Sequence, residues 1–157
     1  MACSYRRTPA LLLFALWFMS QVPLCFAIDN PDAPDLVAEF QARCSKFESK
    51  LREQTGSTRE IIVAYAEYEK FLDQELNRAY TALVSRVAAE SRPKLVQSQR
   101  RWMQYRDAEF LFIAANWTVE TFGSSSAISR GGYRTTIIKD RTVTLLHYLK
   151  TYRQTGR

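Results

Sequence analysis

The sequence predicts an all-α protein, a small antiparallel bundle of about four helices without a sheet, and three observations lead to that fold class. Between residues 35 and 122 only Gly56 and Pro93 interrupt the chain, and neither residue type occurs in residues 133–155. These stretches are rich in residues that favour helix, such as Ala, Leu, Glu and Lys. Apolar side chains recur there every three or four residues, as one face of a helix requires. Short connections between the earlier segments favour antiparallel neighbours.

The first two predicted helices are separated by a break at residues 55–58. The first helix is predicted from Asp35 to about Gln54, after two prolines. The second begins where Ser57 and Glu60 have the spacing of a capping box, in which side chains satisfy backbone amides of the first turn. It continues to about Ala89, because its apolar positions keep the helical spacing throughout. Those positions are Tyr65, Tyr68, Leu72, Leu76, Tyr80, Leu83 and Val87.

Two more helices are predicted in the second half of the chain. Pro93 follows Ser91 closely, and proline is tolerated in a first helical turn, so the third helix is predicted over about residues 92–121. The glycine- and serine-rich residues 123–132 predict a flexible or tightly turned connection. The last helix is then expected over about residues 134–152. Its predicted core residues are Ile138, Leu145 and Leu149.

The first 27 residues have the features of a secretory signal peptide. Arg6 and Arg7 precede an apolar run at residues 10–19, and Cys25-Phe26-Ala27 follows. The run is too short to span a bilayer, and no later stretch is apolar for the roughly 20 residues that a span requires. We therefore expect a periplasmic or secreted protein whose mature form is one domain, residues 28–157, without an integral membrane segment. Loss of two arginines lowers the formal charge of +6 by two units, so the mature protein stays basic.

Cys44 is the only cysteine of the predicted mature chain, since Cys3 and Cys25 fall in the leader. This excludes an internal disulfide and a cysteine-rich zinc site in residues 28–157. Two interpretations of Cys44 remain: a small buried hydrophobe on a helix face, or a bridge to another chain in an oxidising compartment. No metal-ligand spacing, phosphate-binding loop or nucleophile motif occurs, so no metal or cofactor is predicted.

Two polar residues, Gln99 and Arg106, interrupt an apolar stripe on the third helix. A guanidinium that loses its hydration needs a carboxylate or several acceptors. On the second helix Asp73, Asn77 and Tyr80 form a polar seam with the same spacing. We therefore predict an Arg106–Asp73 ion pair surrounded by the other three residues. This network either fixes the helix register or lines a binding or catalytic cleft. The full stripe is Gln99, Met103, Arg106, Phe110, Ile113 and Trp117.

The same two helices carry two linked motifs. Residues 72–83 read LDQELNRAYTAL and residues 99–109 read QRRWMQYRDAE. They resemble the patterns D-x-x-L-N-x-x-Y-x-x-L and Q-R-x-W-x-x-Y-R-D-A of the bacterial lysozyme-inhibitor family of the LprI type, with a weaker similarity at residues 140–145. The resemblance implies a small, exported, all-helical bacterial domain, and at least one member of the family inhibits host lysozyme. The matching residues are Asp73, Leu76, Asn77, Tyr80, Gln99, Trp102, Tyr105, Arg106, Asp107 and, in the weaker segment, Arg141.

The chain departs from the family pattern at two positions. The resemblance implies one cysteine two residues after the Arg-Asp-Ala triplet and another before the last helix, where Phe110 and Tyr133 stand in this sequence. We expect an aromatic contact in place of a disulfide. Such a contact contributes about 0.5–1.5 kcal/mol beyond area burial, against about 2–4 kcal/mol for a disulfide. The last connection is therefore expected to be looser than in those relatives.

The resemblance favours a lysozyme-inhibitor-like binding protein that occludes the cleft of a protein partner, such as a lysozyme, without catalysis. The lysozymes best placed to attack a bacterium are themselves basic, and two positively charged proteins repel at long range. Inhibition would then depend on a local acidic patch. The candidate patch consists of Glu67, Glu69, Asp73 and Glu75, whose alternative role is to solvate the second helix.

The alternative function is a structural or adaptor protein of the envelope that binds an anionic component, such as the cell wall, or another exported protein. An enzyme is the weakest hypothesis, because His147, the only histidine, stands among leucines and nothing places a substrate between Asp73 and Glu109. Export disfavours nucleic acid as a partner. The basic residues considered for the adaptor hypothesis are Arg92, Lys94, Arg100, Arg101, Lys150, Arg153 and Arg157.

Overall fold

The computed structural model describes residues 34–53 and 56–154, and this part of the chain is helical without any strand. The predicted all-α bundle is confirmed. The predicted leader, residues 1–27, and Gln54 lie outside the described residues. None of the described helices combines the length and the apolar character needed to cross a membrane. The helices are α1 (Leu36–Glu53), α2 (Thr58–Arg86), α3 (Arg92–Asn116), the short α4 (Val119–Phe122) and α5 (Ser125–Gln154).

The two longest helices, α2 and α5, form the centre of the bundle and run in the same direction. Near their N-terminal ends Arg134 Nη2 lies 2.6 Å from Glu69 Oε1, and towards their C-terminal ends Leu83 and Tyr148 line the same cavity. Most of the predicted apolar stripe is buried, but Tyr65 and Tyr80 are only half-buried, and Val87 lies just beyond the end of α2. The three predicted core positions of α5 are buried. The fully buried residues of this pair include Leu72, Leu83, Ile138 and Leu145.

Helix α1 runs antiparallel to α2 and joins it to α5 through apolar and ionic contacts. Phe40 and Cys44 are fully buried in the common core. Glu75, which is only 5% exposed, accepts hydrogen bonds from Arg43 at 2.6 Å and from Arg78 at 2.8 Å. Glu48 Oε1 accepts from Tyr68 at 2.8 Å and from Lys139 at 2.6 Å. One carboxylate of α1 therefore holds both central helices.

Cys44 lies in this core without a disulfide partner among the described residues. Burial raises the pKa of its thiol above the ordinary value. A buried thiol that resists ionisation is a poor nucleophile for exchange with another chain. The geometry therefore favours the interpretation of Cys44 as a small hydrophobe over that of an intermolecular bridge.

The contacts of Glu48 predict an acid-dependent stability. The hydrogen bond from Lys139 and a further one from Tyr68 hold the pKa of Glu48 below its ordinary value of 4.5. The resulting stabilisation is present above pH 4.5 and is lost as the pH falls through the lowered pKa. Glu48→Gln is expected to lower the free energy of unfolding by about 1 kcal/mol at pH 7. Urea unfolding between pH 7 and pH 3 should show the two proteins converging in acid, and a constant difference down to pH 3 would contradict this role.

The last helix begins about nine residues earlier than predicted, because the glycines of residues 123–132 do not all lie in a turn. Only Gly123 has a positive φ, of 63°, and it ends α4. Gly131 lies within α5 against the ring of Tyr65 on α2, where an added Cβ atom would lie 2.4 Å from Tyr65 Cγ. The absence of a side chain therefore serves close packing of the two central helices.

The third helix ends sooner than predicted, at Asn116 instead of Thr121. Trp117 leaves the helical conformation, and the side chain of Thr118 accepts a hydrogen bond from the amide of Thr121, which starts α4. Serine, threonine, asparagine and aspartate at such N-cap positions favour a new helix start. Met103 was also misplaced by the predicted stripe, since it is 41% exposed.

Candidate functional site

The residues of α3 that match the motif Q-R-x-W-x-x-Y-R-D-A face α5 more than α2. Gln99 is buried, and its Oε1 atom accepts two hydrogen bonds from Arg141 of α5, from Nε at 3.1 Å and from Nη2 at 3.0 Å. Burial lowers the pKa of the Arg141 guanidinium from its ordinary value. The neutral side-chain amide of Gln99 thus satisfies two donors of the partly buried Arg141 guanidinium. This bidentate contact fixes the register of α3 against α5.

Next to this contact, arginines and aromatic rings alternate along the α3–α5 interface. We call this set the arginine–aromatic column, and it consists of Arg141, Trp102, Arg106, Phe110 and Arg134. The guanidinium carbons of Arg141 and Arg106 both lie over the Trp102 ring, at 5.8 Å and 5.6 Å from its centroid. Phe110 lies between Arg106 and Arg134, at 5.8 Å and 4.4 Å. Cations over aromatic faces within about 6 Å attract the ring quadrupole. The arginine–aromatic column therefore connects α3 and α5 through an unbroken series of cation–ring contacts.

The predicted ion pair of Arg106 with Asp73 is present only as a long contact. Arg106 is 23% exposed, and its Nη1 atom lies 3.9 Å from Asp73 Oδ1. Its hydrogen bonds go instead to Asp107 Oδ1, at 3.0 Å from Nε and 2.7 Å from Nη2. Desolvation raises the pKa of Asp73, and the charge of Arg106 opposes this shift. The second helix therefore supplies a weak partner, and the adjacent aspartate supplies the strong one.

The predicted network around this pair is not formed as one unit. Gln99 bonds to Arg141, Asn77 is exposed, and Tyr80 packs at the edge of the core. Tyr105, another signature residue, is exposed on α3. The physical reason is that α3 packs mainly on α5, so its polar face meets residues of the last helix. Of the signature residues, Arg141 had only the weaker sequence similarity, yet it makes the central contact.

The four residues of the candidate acidic patch lie on two different sides of α2. Glu67 bonds to Lys50 of α1 at 2.7 Å, and buried Glu75 bonds to Arg43 of the same helix. Glu69 bonds to Arg134 on the opposite side, next to Asp73. Positions two residues apart point in different directions on a helix, which is why the cluster in sequence does not become a cluster in space. The structure therefore does not form this patch.

A groove of about 590 Å³ between α2 and α5 is the place where two of these acids meet basic residues. Glu69 and Asp73 line it together with Lys70, Arg130 and Arg134. Because both signs of charge alternate within the groove, it selects neither a cationic nor an anionic ligand by charge. No group of three or more His, Cys, Asp or Glu residues is placed to hold a metal ion in residues 34–53 and 56–154. His147 is exposed on α5.

The expected aromatic contact between Phe110 and Tyr133 is replaced by two neighbouring contacts. Phe110 lies under Arg134, and Tyr133 packs on Trp117 with a centroid distance of 4.5 Å. Consecutive residues of α5 point in directions about 100° apart, so a one-residue shift moves the ring away from Phe110. Together these contacts hold the end of α3 on α5.

An exposed aromatic cluster at the end of α3 was not predicted. Phe112, Phe122 and Tyr133 surround the half-buried Trp117, with centroid distances of 5.9 Å, 6.3 Å and 4.5 Å. The signal was present as a high density of aromatic residues at positions 110–122, but a continuous third helix would have spread them over several faces. We call this surface the aromatic end, and it consists of Phe112, Trp117, Phe122 and Tyr133.

Comparison with known proteins agrees with the motifs described above. A family model described as "Lysozyme inhibitor LprI" matches residues 44–145, which is more than half of the chain. The matched segment begins in α1 and ends in α5, so it includes all of the arginine–aromatic column. No curated protein and no solved structure matches the chain. The chain therefore belongs to the LprI lysozyme-inhibitor family.

Proposed function

We propose that this protein is an exported lysozyme-inhibitor-like protein that binds its partner and occludes the partner's cleft without catalysis. The observation that carries the proposal is the family match over residues 44–145, which extends across the four long helices. Export is proposed from the leader-like residues 1–27.

The signature residues support a scaffolding role within this function. Gln99 and Trp102 are engaged with arginines of α3 and α5, and Arg106 is engaged with Asp107. Side chains that hold two helices together are poorly available for a ligand. We infer that Gln99, Trp102 and Arg106 maintain the bundle and that other residues contact the partner.

The uneven distribution of charge weakens the main objection to a basic partner. Arginines and lysines are concentrated at the start of α3, where residues 92–101 contain four of them and no acid. Residues 107–129 contain Asp107, Glu109 and Glu120 but no lysine or arginine. A basic lysozyme is therefore repelled most strongly by the start of α3, which favours its approach to the opposite end of that helix.

The test is a titration of residues 28–157 into several lysozymes. The rate of each lysozyme is measured on cell walls and, in parallel, on a soluble oligosaccharide. We expect the rate of hydrolysis to fall on both substrates and to reach a plateau at a fixed stoichiometry. The soluble substrate is needed because a protein that coats the wall would protect only the wall. Unchanged rates on both substrates at a large molar excess would overturn the proposal.

The adaptor hypothesis is the second candidate, because the start of α3 presents a basic surface. Arg92, Lys94, Arg100 and Arg101 are all exposed, and three of them line a shallow cavity of about 590 Å³. Such a surface binds anionic polymers in a salt-dependent way. Sedimentation with isolated envelopes that disappears at high salt, together with unchanged lysozyme rates on the soluble substrate, would favour this function over inhibition.

A further inference from the structure

The aromatic end is an exposed apolar surface at the tip where α3, α4 and α5 meet. Phe112 is more than half exposed, and Leu111 and Val119, which are close to this cluster in sequence, are also more than half exposed. Phe122 and Tyr133 complete the rim around Trp117. Contiguous exposed apolar patches are uncommon on monomeric proteins and mark interaction sites. Aromatic residues at the centre of such patches carry much of the binding energy in protein interfaces.

The backbone of this surface is fixed before any partner binds. The amide of Trp117 donates to Ile113 O at 3.1 Å, and Arg130 of α5 donates to the carbonyl oxygen of Trp117. The Thr118 cap and the amide of Gly123, which donates to Val119 O at 2.8 Å, close α4 at both ends. A preorganised surface loses little conformational entropy on binding.

The charge next to the aromatic end selects the kind of partner. Glu120 lies between Val119 and Phe122 in α4 and is exposed, and hydrogen bonds from its own backbone amide and from Thr118 hold its pKa below the ordinary value. Of the nearest basic residues in sequence, Arg134 is paired with Glu69, whereas Arg130 donates to the neutral Trp117 carbonyl and keeps its charge. Arg130 is half-buried and Glu120 is exposed, so Glu120 is the more accessible of these two charges. An apolar centre with an adjacent carboxylate is complementary to a basic protein surface.

We propose that the aromatic end is the docking surface for a basic globular protein, with Phe112, Trp117 and Phe122 as the apolar anchors and Glu120 as the charged contact. This inference rests on the proposed function, in which the basic partner is a lysozyme. It assigns binding to residues 112–133, outside the signature motifs at residues 72–83 and 99–109. A protruding aromatic cluster fits a concave surface, which is the shape of an enzyme cleft.

The test compares residues 28–157 with the double variant Phe112→Ala/Phe122→Ala and with Tyr148→Ala. Tyr148 is a matched control, because it is an aromatic residue of similar exposure at the other end of α5. Circular dichroism and thermal unfolding first establish that all three proteins are folded. We expect the double variant to bind lysozyme at least about thirtyfold more weakly, and the control to bind within twofold of the parent protein. Glu120→Gln should slow association at low salt more than at high salt.

Equal lysozyme affinity of the parent protein and the double variant would overturn the docking surface while leaving the inhibitor function intact. No binding of lysozyme by the parent protein would overturn both proposals. Sedimentation of the same proteins provides an independent measurement. A dimer of the parent protein that is lost in the double variant would also overturn the inference, because the surface would then be occupied by a second copy of the chain.

Discussion

Trp102→Ala is expected to lower the free energy of unfolding by about 3 kcal/mol, at the lower end of the range for a large aromatic residue. Trp102 packs against the common core, and the guanidinium groups of Arg106 and Arg141 both lie over its ring. Its removal leaves a cavity at the α3–α5 interface and abolishes both cation–ring contacts. Urea unfolding followed by circular dichroism measures the loss.

Met103→Ala is the control for this prediction, because Met103 is the next residue on the same helix and is largely exposed. We expect a change within about 0.5 kcal/mol, as for surface substitutions in general. The opposite order, a large loss for Met103→Ala and a small one for Trp102→Ala, would show that α3 is rotated relative to the position described above.

Gly131→Ala is expected to lower the free energy of unfolding by about 2 kcal/mol, although alanine favours helix more than glycine does. The added Cβ atom would lie 2.4 Å from Tyr65 Cγ and 2.8 Å from each neighbouring ring carbon, so the Tyr65 ring or the two helices must shift. Overpacking of this kind typically costs about 1–3 kcal/mol. Thermal and urea unfolding of the two proteins provide the measurement.

Gly132→Ala is the matched control at the next residue of the same helix. Its added Cβ atom would lie 3.7 Å from Tyr65 Oη, an ordinary van der Waals distance. Alanine should therefore stabilise α5 by about 0.5–1 kcal/mol at this position. Combining Gly131→Ala with Tyr65→Ala should recover part of the loss, and strict additivity of the two changes would contradict a clash between these residues.

The sequence was sufficient to predict the fold class and the core of the long helices. The apolar spacing of α2 and the positions of Ile138, Leu145 and Leu149 in α5 depend only on the local period of the helix, and the structure confirms them. The start of α5 could not be predicted in this way. The local preferences of glycine indicated a turn at Gly131. In the structure Gly131 instead allows close packing against Tyr65, which lies more than sixty residues earlier in the sequence.

The candidate site was predicted in part, because the sequence identifies residues that share a helix face but not the helix that faces them. Gln99 and Arg106 were correctly assigned to an interior polar stripe, but α5 and not α2 supplies the main partner of Gln99. The aromatic end depends on the break of the third helix at Trp117 and Thr118. That break results from capping by one threonine, and helix propensity alone gives little sign of it.

The central claim is that Gln99, Trp102 and Arg141 hold α3 on α5 and do not contact the partner. The most direct measurement determines the unfolding free energy and the lysozyme inhibition constant of Gln99→Ala on the same preparation. The account predicts a loss of about 1–3 kcal/mol in stability, because Arg141 loses its acceptor, with inhibition by the folded protein unchanged. Unchanged stability together with a large loss of inhibition would contradict it, because Gln99 would then belong to the binding surface.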